Sequence, residues 1–146
     1  METDEAPSVR VTCGLTPHHA LLDANMMEEP DGILLKVNPP VRPRPMPAMM
    51  LQRLFDGDID WIESDHAPHT RADKVERFAS GVPGLPFLPV FLSLLAERGM
   101  PHAKIRELSH DAVCRAFGIT LAASGRRPEP ALAREYPFDP FAALGQ

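Results

Sequence analysis

Ile59-Asp60-Trp61-Ile62-Glu63-Ser64-Asp65-His66-Ala67-Pro68-His69 is the stretch from which the rest of the chain can be read. Its first five residues form an apolar run that reads as a buried strand. A carboxylate and an imidazole, Asp65 and His69, follow just past the strand end. In an α/β barrel that end carries the chemistry. The pattern occurs a second time. Val9-Arg10-Val11-Thr12-Cys13 reads as a β-branched strand, and Thr16-Pro17-His18-His19 follows it. Ile33-Leu34-Leu35-Lys36-Val37 is a third strand candidate. Asn38-Pro39-Pro40 must stop it, because proline cannot donate to a sheet ladder.

Helical signals lie between these runs. Residues 18–28 read as a short helix or loop ending at Pro30-Asp31-Gly32. Met49, Met50, Leu51, Leu54 and Phe55 recur at helical spacing over 47–56, closed by Gly57. Residues 65–85 read as one long loop, a length that is uncommon without a binding role. An apolar helix is expected over 86–98, ending at Gly99. A last one is capped at Ser109-His110-Asp111-Ala112 and stopped by Gly118. Strand and helix thus alternate three times, which argues an α/β fold with a parallel sheet and crossover helices. Three strands cannot close a barrel of about eight. The expected organisation is a loose segment over 1–8, a folded body over 9–123, and an irregular Pro- and Arg-rich tail over 124–146.

Composition removes several function classes. The 146 residues carry 15 Lys+Arg against 20 Asp+Glu, a net charge of −5, which gives a nucleic-acid surface no support. Seventeen prolines bound or shorten the helices around 39–47, 83–89 and 128–140. The two cysteines, Cys13 and Cys114, suit a reducing cytoplasm better than a disulfide framework. No apolar run approaches the roughly 20 residues needed to span a bilayer. The acidic opening Met1-Glu2-Thr3-Asp4-Glu5 lacks the apolar core of a signal peptide.

The residues that could carry chemistry each have a plainer reading. His18 and His19 are either a surface pair or a source of metal-ligating imidazole. If only one ligates, the other packs or supports it. Asp65 could cap the following segment. Beside a metal it could ligate and also take a proton from bound water. His69 would face the same mouth and could bind an anion, whereas His66 reads as structural. Asn38 is either a turn residue or a clamp on a substrate amide. Gly81-Val82-Pro83-Gly84 is a turn whose backbone could approach a ligand closely. His102 and His110 read as surface or cap residues, and Met46, Met49 and Met50 as core fill. Two units of strand followed by histidine point to part of a metal-dependent hydrolase.

Four blocks strengthen that reading. They are Val11-Thr12-Cys13-Gly14-Leu15-Thr16-Pro17-His18-His19-Ala20-Leu21-Leu22, Lys36-Val37-Asn38-Pro39-Pro40-Val41-Arg42, Ser64-Asp65-His66-Ala67-Pro68-His69-Thr70 and Gly81-Val82-Pro83-Gly84-Leu85. Together, in this order, they resemble the C-terminal catalytic part of the dihydroorotases, in the amidohydrolase superfamily. The segment from Leu108 to Gly118 resembles the helix after that family's eighth strand. The resemblance implies a partial TIM-type (β/α) barrel comprising about its last three strand–helix units.

It also implies roles. His19 matches a metal ligand and Asp65 a carboxylate that contacts zinc and shuttles the proton. Asn38 and His69 match groups that hold the substrate, and Ser80 and Gly81 a loop whose backbone touches it. The implied chemistry is reversible, zinc-dependent hydrolysis of the cyclic amide of dihydroorotate to carbamoyl aspartate in pyrimidine biosynthesis. There are departures. The family often carries an acidic residue where Gly14 stands and Glu where Pro86 stands. Its His-x-His after the first strand, its bridging lysine or carboxylate and a further histidine have no counterpart, so the zinc ligand set is incomplete. The resemblance therefore implies a chain inactive by itself. It would be completed by a complementary half, would form a homo-oligomer, or would be a structural partner of aspartate transcarbamoylase. An allantoinase-type activity is a further alternative.

Overall fold

In the computed structural model the described residues are 9–120. The expectations for 1–8 and for the tail from 124 lie outside them. Two short strands, β1 (Gly14–Leu15) and β2 (Trp61–Ile62), pair in parallel, Gly14 opposite Trp61 and Leu15 opposite Ile62. The ladder extends slightly at each end, because Asp60 N–H donates to Cys13 O at 3.0 Å and Glu63 N–H to Leu15 O at 3.1 Å. Around them run α1 (Pro17–Leu21), α2 (Met46–Asp56), α3 (Arg71–Arg77), α4 (Gly84–Glu97), α5 (His102–Arg106) and α6 (Ala112–Phe117).

The first strand is shorter and later than the 9–13 expected. Val9 and Val11 stand 88% exposed, with no strand beside them among the described residues. Asp60 holds this segment instead, taking the Cys13 N–H on its carboxylate at 2.8 Å and facing Arg10 at 3.7 Å. The larger correction is at 33–37. That run is not a strand. Gly32–Leu35 forms a 3₁₀ turn, with Leu34 N–H donating to Asp31 O and Lys36 N–H to Ile33 O. Leu34 and Val37, three residues apart, are buried while Leu35 and Lys36 are less so, a spacing of 3 rather than the 2 of a strand. β1 and β2 are therefore direct neighbours. That is the relation of two consecutive strands of a parallel sheet, not of the first and third of three.

The span expected as one loop, 65–85, contains α3. Thr70 and Asp73 cap it reciprocally: the Thr70 oxygen takes the Asp73 N–H at 3.1 Å and the Asp73 carboxylate the Thr70 N–H at 3.3 Å. The helix expected to start at Ser109 is already helical there. Chain 102–117 is continuous through a π turn, Glu107–Asp111, and Ser109 Oγ donates back to Ile105 O at 2.8 Å instead of capping. Gly57 and Gly118 do end their helices in the left-handed conformation, at φ 90° and 63°. The core joins Leu15 and Ile62 of the sheet to Leu54, Phe91, Leu95 and Leu108 of the helices. A smaller cluster of Leu22, Val37 and Val41 lies beneath the segment that follows α1. No helix among the described residues is long and apolar enough to cross a membrane.

Candidate functional site

Both strands deliver polar side chains at their carboxyl ends. After β1, Thr16 caps α1: its hydroxyl oxygen accepts the His19 N–H at 3.3 Å, and Pro17 opens the helix. The α1 turn puts two histidines at the strand end in opposite states. His19 has both ring nitrogens engaged, Nε2 2.8 Å from Pro39 O and Nδ1 2.7 Å from Thr16 Oγ1. A carbonyl only accepts, so Nε2 carries the proton and Nδ1 accepts from the threonine hydroxyl. This ring has no lone pair left for a metal, so the geometry does not favour His19 as the ligand.

His18 is the reverse case. Its ring is fully buried and neither nitrogen makes a hydrogen bond. Nε2 lies 3.5 Å from Asp65 Oδ2, close but without hydrogen-bond geometry. Burial, with His19 and Lys74 nearby, pushes its pKa from 6.5 down to about 3. The imidazole is thus neutral, the state a metal requires. Asp65 sits at φ 42°, a left-handed conformation uncommon for a residue with a side chain. Its carboxylate is 42% exposed on one side, while the His18 ring has no exposed surface.

That side is a cleft of about 490 Å³ whose walls include Thr16, His19, Asn38, Arg42, Glu63 and Asp65. The structure brings His19, Asn38 and Asp65 together there, whereas His69, expected at the same mouth, does not line it. It assembles His69, Ser80 and Gly81 in a separate group. His69 Nε2 donates to Ser80 O at 3.1 Å, Ser80 Oγ is buried without a partner, and the Gly81 N–H donates to Lys36 O at 3.0 Å. Gly81 has φ 138°, and a Cβ there would lie 2.5 Å from Ala67 Cβ. The same Lys36 carbonyl takes a second bond, from Lys74 Nζ at 2.6 Å. Lys36 Nζ in turn donates to Phe78 O. Lys74 is fully buried, and burial, with Lys36 nearby, lowers its pKa from 10.5 to about 8.

Sequence reasoning missed Arg42, Glu63 and Lys74. Arg42 was visible only as the end of a motif. Glu63 lines the same cleft as Asp65, just past the end of β2, and was read only as the end of the apolar run. Gly14, where the resemblance expects an acid, leaves the space into which Glu63 reaches.

A zinc of the kind the resemblance implies can be tested against these residues. With ligand distances near 2.1 Å, a tetrahedral zinc needs donor atoms about 3.4 Å apart. The 3.5 Å between His18 Nε2 and Asp65 Oδ2 fits one such edge. Among the described residues no group of three or more His, Cys, Asp or Glu side chains converges to hold an ion. The residues present thus fit two corners of a site.

A small α/β unit with polar groups at the carboxyl ends of parallel strands is the arrangement of an amidohydrolase-type enzyme. No protein-family model matches the chain. Individual relatives do. It is 37% identical over 119 residues to a dihydroorotase of Methanosarcina mazei, covering 79% of this chain and 26% of that protein. It is 35% identical over 126 residues to a dihydroorotase of Lactiplantibacillus plantarum, covering 81% and 28%. Among solved structures, an L-hydantoinase (dihydropyrimidinase) from Arthrobacter aurescens superimposes with a TM-score of 0.65 at 27% identity, over 73% of this chain and 25% of that one. The chain is a member of the dihydroorotase family, and it spans about a quarter of the length of the curated relatives it matches.

Proposed function

We propose that this chain provides the last two strand–helix units of a dihydroorotase-type (β/α) barrel, with the carboxylate that works on a cyclic amide. The observation that carries the reading is the pair of His18 and Asp65 at the end of adjacent parallel strands. One is a buried neutral imidazole with unpartnered nitrogens, and the other a carboxylate held 3.5 Å away in a left-handed turn. Bound zinc would supply an activated water and a polarised carbonyl. Asp65 would hold it together with His18, with further ligands coming from outside the described residues. Asp65 then takes the proton of the attacking water at its exposed oxygen and returns it to the departing amide nitrogen. Asn38 offers the ring both a donor and an acceptor. Arg42 forms no ion pair among the described residues, which leaves its guanidinium for a substrate carboxylate. His19, locked between Thr16 and Pro39, positions the Asn38 segment and makes no direct contact with the reaction.

The test has two arms. Zinc uptake by the chain should be weak, should be lost in His18→Ala and Asp65→Asn, and should survive in His19→Ala. Dihydroorotate hydrolysis should be absent with this chain alone. It should appear when the chain is mixed with the rest of a related dihydroorotase lacking the matched quarter. Zinc held tightly by His18→Ala, or turnover that persists in the mixture with Asp65→Asn, would overturn the reading.

A further inference from the structure

Lys74 has no part in the function proposed above, yet its burial carries a cost that packing does not require. The side chain is fully buried, and the charge that acts on it is that of another lysine, Lys36. A charge taken out of water without a counter-charge costs stability, and an apolar side chain of similar length would fill the space at lower cost. Volume therefore does not explain a lysine here. What it adds is a donor, from Nζ to Lys36 O at 2.6 Å.

That carbonyl is where two segments meet. Lys36 stands two residues before Asn38, which lies in the wall of the Asp65 cleft. The Gly81 N–H donates to the same oxygen at 3.0 Å, and the preceding carbonyl, Ser80 O, accepts from His69 at 3.1 Å. Lys36 Nζ closes the arrangement by donating to Phe78 O. A carbonyl oxygen has two lone pairs, and here each meets a donor from a different element. Gly81, packed on Ala67, fixes one from the loop side, and Lys74 fixes the other from α3, which the Thr70–Asp73 cap anchors. The plane of that peptide is thereby set, and with it the entry into the Asn38 segment.

We propose that Lys74 is a positioning residue for ligand recognition: by holding the Lys36 carbonyl it keeps the Asn38 segment in register with the His69–Ser80–Gly81 group, so that one cyclic amide is met by both. This rests on the cyclic-amide reading given above and adds what aligns two groups that the fold keeps apart. Only a directional donor does this; a methyl group in the same place would fill space and leave the carbonyl free to turn.

Positioning and stability are then expected to part company. The full chain is compared in wild type, in Lys74→Met and in Thr70→Ala, the last of which weakens α3 and leaves the donor in place. At pH 7 the Lys74→Met midpoint in urea should equal or exceed that of wild type, because the buried charge is gone. Gly81 amide exchange should nevertheless quicken about tenfold, as expected for loss of a charge-assisted hydrogen bond. In the mixture with the complementary portion of a related dihydroorotase, Lys74→Met should raise KM about tenfold and leave kcat within about twofold. Thr70→Ala should do the opposite, lowering the midpoint and leaving KM within about twofold. A merely structural role would move midpoint and KM together. Gly81 exchange or KM of Lys74→Met within about twofold of wild type, a lowered midpoint, or a failure to fold would overturn this proposal and leave the cyclic-amide reading standing. A wild-type mixture that turns over no dihydroorotate would overturn both.

Discussion

His18 and His19 are the same residue type, adjacent, on one short helix, and their states are opposite. Nothing in the sequence separates them. The separation comes from Thr16 and Pro39, which occupy one ring, and from the core, which dehydrates the other. Lys74 makes the same point more sharply. The sequence places it in the long loop expected over 65–85, but its stem is buried and its ammonium is spent on the Lys36 carbonyl. Its folded pKa of about 8 lies below the unfolded 10.5, so between those values the unfolded chain holds a proton that the folded chain has shed. Stability should therefore rise with pH across that interval, and below about pH 8 the buried ammonium costs stability. Urea unfolding of wild type and Lys74→Met at several pH values from 7 to 11 checks this. The difference between the two should move in favour of wild type as pH rises through the interval. A difference that is flat with pH would contradict the assignment.

Elements were legible where local pattern and tertiary need agree. The α2 helix, with its Gly57 stop, and α4 follow the expected spans to within two residues, because Leu51 and Leu54 of one and Phe91 and Leu95 of the other meet the core, although Met46 and Met49, expected as core fill, and Val90 stand exposed. The segment 33–37 misled because five mostly apolar residues look the same in a strand and in a tight turn. What decides is Asp31-Gly32 ahead of it: a Cβ on Gly32 would lie 2.2 Å from Met27 O, so the chain is folded back closely there. The α3 helix was hidden among prolines and glycines, although Thr70-Arg71-Ala72-Asp73 carries a capping pattern with Asp in place of Glu. Of the candidate site, the cleft group of His19, Asn38 and Asp65 could be read from motif order. The partition of His69, Ser80 and Gly81 into a second group depends on how 78–82 crosses Lys36, which no spacing encodes. With only seven residues, α3 depends on its cap. Thr70→Ala should cost about 1 kcal/mol in chemical denaturation. It should also raise amide exchange across 71–77 while leaving α2 protected. An unchanged midpoint would mean that packing of Lys74, and not the cap, holds this helix.

At the scale of the molecule, the described residues contain two parallel strands where a closed parallel sheet would have neighbours on both sides. Parallel strands are normally covered on both faces and paired along both edges. Here β1 and β2 pair only with each other among the described residues. Val9 and Val11, just ahead of β1, are each 88% exposed, and Phe117 against Trp61 is 67% exposed. At about 25 cal/mol per Å², a few hundred Å² of apolar surface left wet costs several kcal/mol, comparable to the stability of a small domain. An unpaired edge beside such a surface is a template for another strand. The expected outcome is that the chain associates with a second copy of itself at micromolar concentration, seen as a concentration-dependent sedimentation coefficient. Val11→Lys, a charge placed beside the β1 edge, should shift the distribution toward monomer without changing the circular dichroism. Adding the complementary portion of a related dihydroorotase should compete with self-association, because both would use the same edges. A monomer with protected β1 and β2 amides across the whole concentration range would show that these two strands are stable without further neighbours.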